Sequence, residues 1–433
     1  MHIQIIVPSW HHLANPFLHQ PYWEMYLATN LQKKYNSFKI SIVDLRKKEL
    51  SYKTDIKESD IFIFWIFKSA DAIECFNIAK YLKKKYPKSY ILAGGTHVEV
   101  HPQDSINYFD CIISGPGEIG FSSIIDELRN SGVKEKHYKI DWMKHPYSEF
   151  DYAKREWLPE QDLFNDKLFS EYGSYKSTMT YFSRGCIYKC GFCTLNVPRA
   201  LQTRAPISIK NEIEYLKKNY GLEALLLKDE VAVHPNSKIS NPILEAIGST
   251  DIIWRGQTTT QVTFDQLKLA KDSGCKELAV GIETVDSFVM KTINKGWQNE
   301  KKIIEFINNA KKADIKIKMC LIFGLPGEPK NILDKTIEFI EKNQIDYVNV
   351  SGFCPLPGSP IYNDYKNYGI EQVDKDWSKH GHLVYRFSDE EDVGLPFEYS
   401  KNHEKFENQF SRDQIVYNIK YLQKWLKDRK KSY

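Results

Sequence analysis

The stretch TYFSRGCIYKCGFCTLN, residues 180–196, places three of the chain's eight cysteines within eight positions: Cys186, Cys190 and Cys193. Thiolates spaced this closely suit soft metal ions and metal–sulfur clusters. A structural zinc site takes four ligands, usually from two such pairs. Here the next cysteine is Cys275 and the nearest downstream histidine is His234, so zinc would need a distant fourth ligand. A cubane iron–sulfur cluster also takes four ligands. Three thiolates then leave one iron open to a group that is not protein, and this is the chemistry the spacing favours.

Bulk properties narrow the setting. A chain of 433 residues is longer than one hydrophobic core usually supports, so two or more domains are expected. An apolar content of 42% with 13% aromatics fits packed globular domains. The net charge of +4 is small against 60 basic and 56 acidic side chains, a mixed surface that makes no case for a nucleic-acid partner. Lysine runs at 83–85 and in KDRKKSY at the end read as helix faces and a tail. The start, MHIQIIVPSWHH, lacks the basic region and long apolar run of a secretory signal. The most apolar run, IFIFWIF at 61–67, is far shorter than the roughly 20 residues of a membrane helix. The expectation is a cytoplasmic protein with no membrane partner, whose reduced thiols bind metal rather than pair as disulfides.

Two β/α regions must position the cysteines. In the first, residues 1–130, the runs IQIIV, KISIVD, DIFIFWIF, SYILAGG and DCIISG alternate with helical patterns near 22–35, 70–86 and 118–130. Near-continuous apolar strands separated by helices imply a doubly wound, Rossmann-like α/β domain with a parallel sheet covered on both faces. Ligands of such a fold bind beyond the carboxyl ends of the strands. The loops PSWHH (8–12), GGTHVEVHP (94–102) and GPGE (115–118) fall there, the last opening a helix. Residues 131–177 carry no clean period and read as a linker. Over 178–365, strands are expected at 178–183, 222–228, 251–256, 277–282, 315–322 and 346–352. Helices are expected near 207–219, 237–247, 264–273, 298–312 and 329–343. Six β/α units suit a partial TIM-type barrel whose site lies at the strand C-terminal ends. The cysteines follow its first strand. Residues 366–433 read as a helical C-terminal cover with an amphipathic helix over 409–429.

With these residues in view, the sequence resembles the radical SAM superfamily, in its cobalamin-dependent branch. The CxxxCxxC pattern, with Phe192 just before the last cysteine, is that family's signature. LLLKDE (225–230), GCKELAVGIET (274–284), IFGLPGE (322–328) and FCPLPGSPIY (353–362) also resemble elements of that branch, as do GGTHVEVHPQ and SGPGEIGFSSIIDEL. The likeness covers roughly residues 1–130 and 178–365. It implies a [4Fe-4S] cluster on Cys186, Cys190 and Cys193, whose open iron binds the amino and carboxylate groups of S-adenosylmethionine (SAM). It also implies reductive cleavage to a 5′-deoxyadenosyl radical, cobalamin in the first domain, and an electron donor such as flavodoxin or ferredoxin.

The resemblance extends to further residues. SAM contacts are expected from Phe192, Asp229, Glu230, Glu283, Gly324, Pro326 and Gly327; for Asp229 and Glu230 the equal alternative is a cap on the next helix. Cobalamin contacts are expected from Ser9, Trp10, Gly94, Gly95, Thr96, His97, Gly115, Gly117 and Glu118. No DxHxxG run is present, and no histidine is assigned to cobalt; His11, His12, His97 and His101 read as solvated loop residues. Cys275, Cys320 and Cys354 are isolated and read as small core hydrophobes, so no auxiliary cluster is expected. The expected activity is methylation of an unactivated carbon of a small-molecule or natural-product substrate. The alternatives are a radical cyclisation or rearrangement, or a non-catalytic cluster or corrinoid sensor. The catalytic residues and the substrate carry no readable motif.

Overall fold

The computed structural model describes the chain except residues 14, 48, 170, 195–199, 381–394, 402, 407–409 and 433, and the side chains of 166 and 167. The expected helix start at 409 and part of the expected cover therefore lie outside the described residues. The chain divides into two compact units, Met1–Asn165 with Asp376–Gly381, and Asp166–Lys375 with His382–Tyr433.

The first unit is built on strands β1 (His2–Val7), β2 (Lys39–Asp44), β3 (Ile61–Trp65), β4 (Tyr90–Gly94), β5 (Cys111–Ser114) and β6 (His137–Lys139). Their order is β2-β1-β3-β4-β5-β6, and every pair is parallel. The apolar run at β3 has the expected cause, because both sheet faces are covered. Phe62 and Phe64 join Ile78 and Leu82 of the helix Ala72–Lys85 on one face. Ile61 and Ile63 join Leu27 and Leu31 of Tyr22–Lys34, and Ile124 and Ile125 of Gly117–Asn130, on the other. Lys83, Lys84 and Lys85 form the last turn of their helix, where they oppose the carbonyl end of its dipole.

Two parts of this unit carried no sequence signal. Residues beyond 130 add the three-residue edge strand β6 and a series of single 3-10 turns such as Trp142–Lys144. The tail contributes Trp377, which packs on the core formed by Phe76 and its neighbours. Its indole N–H donates to Asp104 Oδ2 at 2.7 Å, and its ring lies 4.7 Å from that of His101.

The second unit begins with β7 (Ser177–Thr180) and a short hairpin of β8 (Ser183–Arg184) and β9 (Gln202–Thr203). Then come β10 (Ala224–Leu227), β11 (Ile253–Thr258), β12 (Cys275–Glu283), β13 (Lys316–Phe323) and β14 (Tyr347–Gly352), with the small pair β15 (Ile370–Val373) and β16 (Phe397–Tyr399) in the tail. The main sheet runs β14-β13-β12-β11-β10-β7 in sequence order, with all pairs parallel and β7 and β14 at its two edges. This is the expected partial barrel, open between its first and last strands. Helices Pro206–Tyr220, Ser237–Gly248, Phe264–Asp272, Glu300–Lys312 and Ile332–Lys342 follow successive strands. The expected 298–312 helix is preceded by a separate turn of helix, Ser287–Thr292, and starts at the Asn299 cap. The terminal helix Arg412–Asp428 starts in a Ser411/Gln414 capping box and buries Ile415, Ile419, Leu422 and Leu426, one face at helical spacing. Beyond it, Lys431 O accepts the Val348 N–H at 2.9 Å, which shields part of the β14 edge.

Candidate active site at the mouth of the half-barrel

The cysteine loop leaves β7 through a turn fixed by a neighbouring strand. Asp229, just past β10, is 1% exposed. Its Oδ1 accepts the Phe182 N–H at 3.0 Å, the Ser183 hydroxyl at 2.5 Å, and the Ser183 N–H. Burial pushes its carboxyl up to about 6, with these bonds opposing the rise. Asp229, expected at SAM, is thus committed to holding the start of the cysteine loop.

The loop itself is anchored on two sides. Gly191 N–H donates to Ile293 O at 2.7 Å, and Gly191 O accepts the Ile361 N–H at 2.9 Å. A side chain at Gly191 would press on Ile361 at 3.2 Å and Ile293 O at 3.3 Å. Asn294 donates to Lys189 O at 2.6 Å, and Tyr188 stacks on Trp297 with ring centroids 4.5 Å apart. The PLPGSPIY motif and the INKGWQ segment after β12 therefore act as supports for the cysteines.

Cys186, Cys190 and Cys193 are partly exposed and in no disulfide, whereas Cys75, Cys111, Cys275 and Cys354 are buried. Burial raises Cys186 and pushes Cys190 up to about 11. Among the described residues no three Cys, His, Asp or Glu side chains stand together closely enough to hold a metal ion. The soft donor set on an anchored loop fits a three-thiolate cluster, and binding would have to draw the sulfurs together. Phe192 is partly exposed beside Cys193.

Around this loop, Glu230 is half-buried and pushed up to about 8 by burial. Glu283 ends β12 in the left-handed region, φ +66°, at a register shift between Gly281 and Glu283. Its Oε1 receives the ammonium of Lys295 at 2.8 Å. Lys295 was not anticipated: it sits in a loop without a motif, and only the bulge in β12 brings it to Glu283.

The GLPGE turn is closed on itself. Gly324 N–H donates to Glu328 Oε2 at 2.8 Å, and Gly324 O accepts the Tyr399 hydroxyl at 2.7 Å. Pro326 is buried, and a Cβ on Gly327, φ +84°, would lie 2.7 Å from Phe288. Glu328, also unanticipated, is buried, makes no hydrogen bond through Oε1, and is pushed up to about 8 by burial. Since its folded value lies above the unfolded one of 4.5, it stabilises the fold fully below about pH 4.5 and progressively less up to about pH 8. Glu328→Gln should remove that slope, gaining about 1–3 kcal/mol on wild type between pH 6 and pH 9 in paired thermal melts. An unchanged difference between the two proteins would count against a buried neutral carboxyl.

In the first unit, the residues expected at cobalamin do gather at the C-terminal ends of the strands, but many are already engaged. Ser9 N–H and hydroxyl donate to Glu74, at 3.0 and 2.8 Å. Trp10, φ +51°, lies under the Arg46 guanidinium at 4.9 Å. His97 is fully buried with Nδ1 2.9 Å from Ser69 Oγ, not solvated as expected, and burial pushes it down to about 3. Glu118 accepts the Tyr26 hydroxyl at 3.1 Å. The glycines face the domain interior: a Cβ on Gly95 would lie 2.6 Å from Ile66 O, on Gly94 3.0 Å and on Gly117 2.5 Å from Trp65, and on Gly115 it would collide with Ile140 O. Thr96, partly exposed, opens the helix Thr96–Val100.

Comparison with known proteins places this geometry. The Radical SAM superfamily model matches residues 180–340, the stretch from the cysteine loop through the GLPGE turn. The chain is 25% identical over 335 residues to a bacteriochlorophyllide d C-8(2)-methyltransferase of Chlorobaculum tepidum, covering 74% of this chain and 71% of the relative. It is 24% identical over 357 residues to an uncharacterized methyltransferase of Pyrococcus horikoshii, covering 78% and 76%. In fold it is similar to the radical SAM methyltransferase TsrM of Kitasatospora setae, solved with cobalamin and a [4Fe-4S] cluster, with a TM-score of 0.66 at 16% identity over 91% of this chain and 83% of that one. The cobalamin-dependent radical enzyme OxsB gives a TM-score of 0.63 at 14% identity, over 88% and 56%. Residues 180–340, the stretch that carries the three cysteines, match the Radical SAM superfamily.

Proposed function

We propose that this enzyme is a cobalamin-dependent radical SAM methyltransferase acting on an unactivated carbon of a small molecule. The observation that carries the reading is the anchored three-thiol loop at the C-terminal ends of a parallel half-barrel, following a doubly wound domain. The similar methyltransferases and the same fold in TsrM and OxsB support it. When bound, a [4Fe-4S] cluster supplies the electron that opens SAM, and cobalamin carries the methyl group.

In this reading Cys186, Cys190 and Cys193 ligate the cluster. Glu283 meets the SAM amino group, with Phe192, Glu230 and the Gly324–Gly327 turn around the rest of the cofactor. Asp229 positions the loop and belongs to its support. Ser9, Trp10, Thr96 and Glu118 border the corrinoid, while Gly94, Gly95, Gly115 and Gly117 shape the loops through packing. The reading also includes a flavodoxin- or ferredoxin-like electron donor and a cytoplasmic location. No helix among the described residues is long and apolar enough to cross a membrane.

The test is stoichiometry with the true substrate. Methylation should consume two SAM per turnover, giving one S-adenosylhomocysteine and one 5′-deoxyadenosine for each methylated product. 5′-Deoxyadenosine without S-adenosylhomocysteine would replace methylation by cyclisation or rearrangement. Protein from cobalamin-fed cells with no corrinoid absorbance would remove cobalamin from the reading.

A further inference from the structure

Lys295 belongs to none of the motifs above, yet several departures from plain strand structure converge on it. Its side chain is buried, the whole residue being 5% exposed. The ammonium donates to Gly281 O and to Glu283 Oε1. Gly281 has no side chain where one would run into Glu283 Oε1 and lie 3.0 Å from Lys295 Nζ. Glu283 holds a left-handed backbone at φ +66°, a strained conformation for a residue with a side chain. The β12 ladder is shifted at this point. Burying an ion pair is costly in itself, so a plain structural role would be met more cheaply by an apolar pair.

The surroundings connect this pair to the cysteine loop. Residues flanking Lys295 are the ones that support it: Ile293 through Gly191, Asn294 through Lys189 O, and Trp297 through Tyr188. The ammonium lies 5.4 Å from the Trp297 ring.

We propose that Lys295 is a positioning residue that couples the SAM site to the cluster, orienting the Glu283 carboxylate for the SAM ammonium and placing a fixed positive charge beside the thiolate ligands. The proposal rests on the assignment of Cys186, Cys190 and Cys193 to the cluster and of Glu283 to SAM. A positive charge in a poorly solvated pocket favours the added electron of a reduced cluster, and a negative one opposes it. The two partners should therefore act on the cluster in opposite directions and on SAM in the same direction.

The experiment uses full-length, anaerobically reconstituted wild type, Lys295→Met, Lys295→Arg, Glu283→Gln and the Lys295→Met/Glu283→Gln double variant. The cluster midpoint potential is read by EPR-monitored redox titration without SAM, and SAM affinity by equilibrium binding. Lys295→Met should lower the potential and weaken SAM binding by about tenfold or more, since it leaves the Glu283 charge buried without its partner. Glu283→Gln should raise the potential while also weakening SAM. The double variant should return the potential close to wild type, and Lys295→Arg should restore it toward wild type. Unfolding or loose packing would not produce opposite shifts that cancel. Lys295→Met with wild-type potential and SAM affinity would overturn the proposal, as would shifts of the same sign in the two single variants. If Lys295→Met does not fold, Glu283→Gln and Lys295→Arg still decide: a potential that does not rise in the first, or that falls in the second, overturns it. A wild type that binds no iron would instead overturn the cluster assignment beneath it.

Discussion

Cys186→Ala, Cys190→Ala and Cys193→Ala should each abolish reductive cleavage of SAM, while the anaerobically reconstituted wild type holds about four irons per chain. Loss should be complete rather than partial. With three protein ligands, each removal opens a second iron to solvent, and no replacement donor set stands nearby among the described residues. The fold should survive, because the three thiols are only partly buried and the loop is tied down by the backbone of Gly191 and the side chains of Tyr188 and Asn294. Iron and sulfide analysis, the visible spectrum and 5′-deoxyadenosine production check this together. Retained iron and activity in the triple variant would refute the central assignment.

Asp229→Ala should have the largest effect on stability in the second unit. It strands the Phe182 N–H, the Ser183 N–H and the Ser183 hydroxyl in a buried turn. At about 1–3 kcal/mol for each unsatisfied group, with partial relaxation, a loss of about 3–5 kcal/mol is expected. Because that turn opens the cysteine loop, iron loading should fall with it. Asp229→Asn separates the roles: it keeps an acceptor but no charge. The wild-type carboxyl, raised from 3.8 to about 6, contributes most stability below about pH 4 and loses it as pH rises through 6. Asn lacks that slope, so the gap between Asn and wild type should move in favour of Asn across this range. Chemical denaturation at pH 5 and pH 7.5 measures it; an Asp229→Ala protein as stable and as iron-rich as wild type would contradict the role.

Much of this was legible in the residues. The runs DIFIFWIF, SYILAGG and DCIISG mark strands because both sheet faces are buried, and the helical periods beside them fall within a few residues of the observed helices. The cysteine loop was legible because ligand spacing is local in sequence. What escaped has the opposite character. Strand β6 has three residues, too few to show a period. Lys295 matters only because a shifted register in β12 turns Glu283 toward it. Glu328 was not singled out: its carboxylate accepts the Gly324 N–H within the turn, and Tyr399, from a segment far along the chain, closes the turn through Gly324 O. Asp229 was placed at the right strand end, but its hydrogen bonds point to β8 and not outward.

The position of Trp377 changes what can be cut from this protein. The chain leaves the second unit after Lys375, lends a short segment to the first, and returns. The first unit is therefore assembled from two stretches separated by more than two hundred residues, and no single excision yields it whole. A fragment ending at 165 would uncover His97, His101 and the Phe76 face, and Asp104 would lose its indole donor. Exchange of the first unit between relatives would have to transplant the Trp377 segment together with the N-terminal stretch, or redesign the surface it leaves exposed.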